Sequence, residues 1–131
     1  MYRLAMARKK TPTLTEAEYR LMDILWTHGP LTVADVAERV AEPPLAYNTV
    51  LTTLRILEGK GYLRHNASGR AFIYHATVAR DAAQRDVVRH VVSRFFGGSS
   101  HDLMLNLLES EDVDDAELAR LRELIDRKAT P

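Results

Sequence analysis

Apolar side chains at Tyr19, Leu21, Met22, Leu25 and Trp26 share one face at helical spacing, right after Leu14-Thr15-Glu16-Ala17-Glu18. Thr15 with Glu18 three positions on reads as a capping box, and Leu14 sits where a hydrophobic staple belongs. The pattern predicts a first helix that His28-Gly29-Pro30 ends. Leu31-Thr32-Val33 is a short extended entry. Thr32 then caps a second helix buried through Val33, Val36, Ala37 and Val40, which Glu42-Pro43-Pro44 stops. A third helix is expected from about Ala46 to Glu58, with Val50, Leu54 and Leu57 on its apolar side and Gly59 and Gly61 at its end. Tyr62-Leu63-Arg64-His65 and Phe72-Ile73-Tyr74-His75 read as two strands, joined by Asn66-Ala67-Ser68-Gly69-Arg70 as a glycine-containing turn.

From about Thr77 the period is helical again. Val87, Val88, Val91, Val92, Phe95 and Phe96 place two large apolar residues on each turn, a wider stripe than a surface helix needs. Gly97-Gly98 breaks that helix. Ser99 with Asp102 caps the next, whose Leu103, Met104, Leu107 and Leu108 are apolar, and Asp114 with Glu117 opens a last helix carrying Leu118, Leu121 and Ile125. The fold class is therefore mainly α with a small β-wing: a basic arm at 1–13, a winged helix-turn-helix at 14–76, and a helical dimerisation region at 77–131.

In a winged helix the third helix enters the major groove and the wing lies on the flanking backbone. At about 100° per residue, Val50, Leu54 and Leu57 cluster within about 60° and define the core side. The opposite side holds Asn48, Thr52 and Arg55, with Thr49 at its edge and Thr53 between the faces. Thr and Asn reach base edges, Thr methyls pack on thymine methyls, and Arg chelates guanine or a phosphate. A helix face selected only for helicity would carry Glu, Lys and Gln in place of β-branched Thr. The expected wing tip, with Arg64, His65, Asn66, Ser68, Gly69 and Arg70, is basic and small, suited to phosphates. Two other readings stay open on these residues. One is a winged-helix module that binds protein, and the other is a winged-helix regulator that senses a small molecule.

Length and charge narrow the picture. At 131 residues, with 46% apolar and 27% charged side chains, the chain is an ordinary globular one. Its net charge is zero, yet residues 1–80 carry 11 Lys/Arg against 7 Asp/Glu, and residues 81–131 carry 7 against 11. A basic part suits a polyanion; an acidic, apolar-faced part suits a protein. Some fifty residues in three helices bury little core of their own, so a second copy packing on Val88, Val91, Val92, Phe95, Leu103, Leu107, Leu121 and Ile125 is expected. The alternative is that these helices fold back on their own chain.

The candidate chemistry is sparse. With no cysteine, a disulfide framework, a thiolate metal site and a cysteine nucleophile are all excluded. His28, His65, His75, His90 and His101 lack ligand spacing, so no metal is expected. Ser99-Ser100 is a cap, not a nucleophile elbow, and there is no phosphate-binding glycine loop. No enzyme and no cofactor are expected. Apolar runs fall far short of the ~20 residues that span a bilayer, and Met1 to Lys10 lacks the core of a secretory signal. A cytoplasmic protein without membrane insertion is the expectation.

Several segments together resemble the BlaI/MecI/CopY, or penicillinase repressor, family. They are Leu14-Thr-Glu-Ala-Glu-Tyr19 with Leu25-Trp26; Leu45-Ala-Tyr-Asn-Thr-Val-Leu51 with Leu54-Arg55 and Leu57-Glu58; Gly61-Tyr62-Leu63; Gly69-Arg-Ala-Phe-Ile-Tyr74; and Phe95-Phe-Gly-Gly-Ser99. The likeness covers about residues 12–127. It implies a homodimeric repressor of inverted-repeat operators. In the β-lactam branch a membrane sensor leads to proteolysis within an Asn-Phe pair, whose counterpart here is Asn106-Leu107, with Leu in place of Phe. The cysteine cluster of the copper branch is absent. Asn48 stands where Thr is common. On this reading Asn48, Thr49, Thr52 and Arg55 face bases, and Tyr47, Arg64 and Arg70 hold the duplex by its backbone. The partners expected are a double-stranded operator, a second copy of the chain, and a membrane sensor or protease pathway.

Overall fold

A computed structural model describes residues 13–130. The basic arm expected at 1–13 lies almost wholly outside the described residues. The elements in chain order are α1 (Glu16–His28), β1 (Leu31–Thr32), α2 (Val33–Arg39), α3 (Tyr47–Gly59), β2 (Leu63–Ser68), β3 (Ala71–Ala76), α4 (Arg80–Phe95), α5 (Ser100–Ser110) and α6 (Asp115–Ala129). The chain is mainly α with one small antiparallel sheet.

Each helix start has the chemistry its sequence offers. The Thr15 hydroxyl accepts from the Glu18 amide, and the Glu18 carboxylate accepts from the Thr15 amide, so both halves of the box form. Thr32, Ser99 and Asp114 cap α2, α5 and α6 through the amides of Asp35, Asp102 and Glu117. Helix α3 starts at a residue, Ala46, whose side chain makes no capping bond.

The sheet holds three strands in the order β1-β3-β2, one more than the expected two-stranded wing. Leu31 and Thr32 pair with Tyr74 and Ile73, closing the sheet against the start of α2. A two-residue strand is too short for any period to announce. The hairpin is also tighter than its composition suggests. Pairing continues to Ser68 opposite Ala71, leaving only Gly69 and Arg70 in the loop. Gly69 takes φ +63 and Arg70 does not leave the negative range, the pattern of a loop that needs glycine at its first position.

The molecule divides into two compact units, one ending at His90 and the other starting at Val91. The core of the first unit joins Leu21, Met22 and Leu25 of α1, Val33 and Val36 of α2, and Val50, Leu54 and Leu57 of α3 with Tyr62, Leu63, Tyr74 and Ala83. Burying each such aliphatic side chain contributes roughly 1.5–3 kcal/mol. The unit ends further along than the hairpin, because the start of α4 belongs to it. Ala83 is fully buried and Val87 packs on the core. The Trp26 indole N–H donates to the Val78 carbonyl at 2.8 Å, and Arg80 pairs with Asp23 while its guanidinium lies 5.3 Å from the Trp26 ring centre. In the second unit no described residue is buried.

A partly buried ion pair joins the start of α1 to the end of α3. Glu18 is only 6% exposed. Its Oε1 accepts from Lys60 Nζ at 2.7 Å, and Lys60 also donates to the Thr13 carbonyl at 2.8 Å. Lys60 caps the C-terminus of α3, where a cation also meets the helix dipole favourably.

Candidate nucleic-acid interface

The back of α3 is fixed by Val50, Leu54 and Leu57, none of which retains any solvent contact. That anchors the roll of the helix and turns Asn48, Thr49, Thr52 and Arg55 outward, all exposed. Tyr47, at the first turn, is 52% exposed. Thr53 is half-buried, and its hydroxyl donates to the Thr49 carbonyl at 2.7 Å, so its donor is spent within the helix. One apolar residue shares the outward face: Ile56, one turn after Thr52, is 46% exposed. An apolar residue gives no sign in sequence that it belongs to a polar face.

On the hairpin, alternation sets Arg64, Asn66 and Ser68 on one side of β2, all exposed, with Arg70 at the loop. His65, expected at the basic tip, is instead turned inward. Its Nδ1 lies 2.7 and 3.0 Å from the two Glu58 carboxylate oxygens, and its ring sits 4.4 Å from Phe72 and 5.4 Å from Tyr74. The physical reason is the pleat: His65 pairs opposite Tyr74 and shares its face, the one that packs on α3. Glu58 and His65 are joined across a helix and a strand, and nothing in their spacing signals it. The contact couples the end of α3 to the hairpin. The Tyr74 phenol has its pKa raised, first by burial and then by the Glu58 carboxylate, with the Arg55 guanidinium opposing.

Charge is laid out accordingly. Residues 47–76 carry Arg55, Lys60, Arg64 and Arg70 against a single acid, Glu58, and Glu58 is engaged by His65. Residues 13–46 carry six Asp/Glu against two Arg. Within residues 13–76 a basic α3-hairpin stretch thus stands beside acidic α1 and α2, a finer division than the one between residues 1–80 and 81–131.

The residues expected to meet a second copy are spread over α4, α5 and α6. Val88, Leu107, Leu121 and Ile125 are exposed, Val91, Val92 and Leu103 are half-buried, and Phe95 is 75% exposed. Met104, Leu105, Leu108 and Leu124 are exposed as well. Asn106 and Leu107 lie within α5, and the Asn106 carbonyl accepts from the Ser110 hydroxyl. Among the described residues, no group of three or more His, Asp or Glu is placed to hold a metal ion. No helix among them is long and apolar enough to cross a membrane.

Three helices, a three-stranded sheet with a tight hairpin and an outward polar α3 define a winged-helix protein of the nucleic-acid-binding type. More narrowly, the chain belongs to the penicillinase repressor family, whose model matches residues 14–127. It is 25% identical over 119 residues to the penicillinase repressor of Bacillus licheniformis, covering 90% of this chain and 93% of that one. It is 22% identical over 120 residues to the methicillin resistance regulatory protein MecI of Staphylococcus aureus (strain N315), covering 91% and 98%. Among solved structures, the DNA-binding domain of the repressor BlaI is similar, with a TM-score of 0.50 and 28% identity over 56% of this chain and 92% of that one. The winged-helix chain of a RosR complex shares the fold, with a TM-score of 0.52 at 15% identity over 88% and 90%.

Proposed function

We propose that the chain is a DNA-binding transcriptional repressor and not an enzyme. One observation carries the reading: in a penicillinase repressor family chain, the exposed polar face of α3 is held outward by a fully buried back and flanked by Arg64 and Arg70 of the hairpin. Asn48, Thr49, Thr52 and Arg55 read base edges in the major groove. Tyr47, Arg64 and Arg70 contact the phosphate backbone and set the register. The Glu58–His65 contact keeps the hairpin and the reading helix in one geometry while they do so.

The repressor works as a homodimer on an inverted repeat. A second unit with no buried residue and with Phe95, Leu107, Leu121 and Ile125 exposed needs a partner surface, and a second copy supplies a self-complementary one. Two reading helices then face two half-sites related by the same two-fold. Release passes through a membrane sensor or protease pathway. Cleavage at Asn106–Leu107 would require α5 to open locally, because that peptide is helical.

A mobility-shift assay with the intergenic duplex beside the gene tests the reading. The expected result is a discrete retarded complex that an unrelated duplex does not compete away. Absence of any retained duplex would favour a protein-binding module instead.

A further inference from the structure

We infer that Ile56 is a specificity-determining residue of α3, its side chain packing on the C5-methyl group of an operator thymine. The inference rests on the DNA-binding reading above and adds to it a base preference.

Ile56 is not part of the core. Leu54 and Leu57, its neighbours in sequence, have no solvent contact, whereas Ile56 keeps 46% of its surface in water. An exposed isoleucine in mid-helix is also a poor choice for helicity. It follows Thr52 by four residues and Thr49 by seven, so the three side chains form one ridge along the outward face. Both threonines are exposed. The ridge offers methyl groups with hydroxyls only at Thr49 and Thr52. It ends at Gly59, where a side chain would meet nothing within 4 Å, so the far flank of Ile56 is open.

The surroundings say what covers it. Arg55 is exposed beside Ile56, Arg64 and Arg70 stand on the hairpin, and the one nearby acid, Glu58, is bound to His65. An apolar spot on a helix and hairpin whose exposed charges are cationic suits a polyanion that carries methyl groups on its recognition edge. Thymine is the one base of ordinary DNA with a methyl in the major groove. From Thr52 to Ile56 is roughly 6 Å along the helix axis, close to two base-pair rises of about 3.4 Å. Thr52 and Ile56 therefore address different base pairs.

The test uses duplexes enriched by the wild-type chain from a randomised pool. Each thymine of the enriched duplex is replaced singly by deoxyuridine, which removes only the methyl. The expected result is one position in each half-site where this lowers wild-type affinity about fourfold, the worth of one buried methyl. Ile56→Ala should lose that sensitivity and Ile56→Val should keep most of it, both with wild-type melting curves. If Ile56→Ala shows the same sensitivity at every position as wild type, the inference falls while DNA binding stands. If the wild-type chain enriches no duplex, the underlying reading falls with it.

Discussion

Replacing Glu18 by Ala removes two things at once. Its carboxylate completes the cap of α1 by accepting the Thr15 amide at 2.9 Å, and it pairs with Lys60 at 2.7 Å. Loss of a cap costs about 1 kcal/mol. Orphaning the partner of a fully buried ion pair costs about 3–5 kcal/mol. Lys60 is a quarter exposed and keeps the Thr13 carbonyl at 2.8 Å, so about 1–2 kcal/mol is the better figure for that part. The expected destabilisation is therefore about 2–3 kcal/mol. Glu18→Gln keeps an oxygen for Thr15 and should lose only the charge pairing, about 1–2 kcal/mol. Adding Lys60→Met to Glu18→Gln should recover part of that loss, because no unpaired charge is left behind. Urea unfolding measures all three, as shifts in midpoint at unchanged slope. If Glu18→Ala stays within about 0.5 kcal/mol of wild type, as an ordinary surface change does, the pair is not holding α1 to the end of α3.

Other predictions are independent of that pair. Burial pushes the Tyr62 phenol up to about 12, with the Asp86 carboxylate, 3.3 Å away, adding to the effect. The folded state thus holds that proton more tightly than the unfolded state, so its stabilising contribution is complete below pH 10 and is lost between pH 10 and 12. Alkaline unfolding of Tyr62→Phe should be less steep than that of wild type in that window; equal steepness would remove Tyr62 as the cause. Arg55→Ala should weaken operator binding by about 1–3 kcal/mol if the contact is bidentate to guanine, and unchanged mobility-shift titrations would take Arg55 off the reading face. Val91→Asp with Phe95→Asp should give monomers by light scattering; a persisting dimer would place the interface elsewhere.

What the sequence discloses is mostly local. Thr15, Thr32, Ser99 and Asp114 mark helix starts because a capping side chain must lie beside the amides it serves. Val50, Leu54 and Leu57 disclose the roll of α3, and with it most of the outward face. Contacts that join distant segments leave no such trace. The pairing of Leu31 with Tyr74, the bond from Lys60 to Glu18 and the clasp of His65 on Glu58 all depend on where the chain returns, which no period encodes. The valines of α4 show the same limit. Val87 packs on the core and Val88 is exposed, although the stripe treats them as one feature. Ile56 is hidden differently, since an apolar residue in a helix reads as core even where the fold leaves it exposed.

The most direct measurement is the salt dependence of operator binding by the wild-type chain. Two copies, each placing Arg64 and Arg70 on phosphates, predict a log–log slope of about −3.6 or steeper, and Arg64→Ala with Arg70→Ala should make it markedly shallower. A flat response, or a slope that the double variant leaves unchanged, would contradict a duplex gripped by α3 and its hairpin.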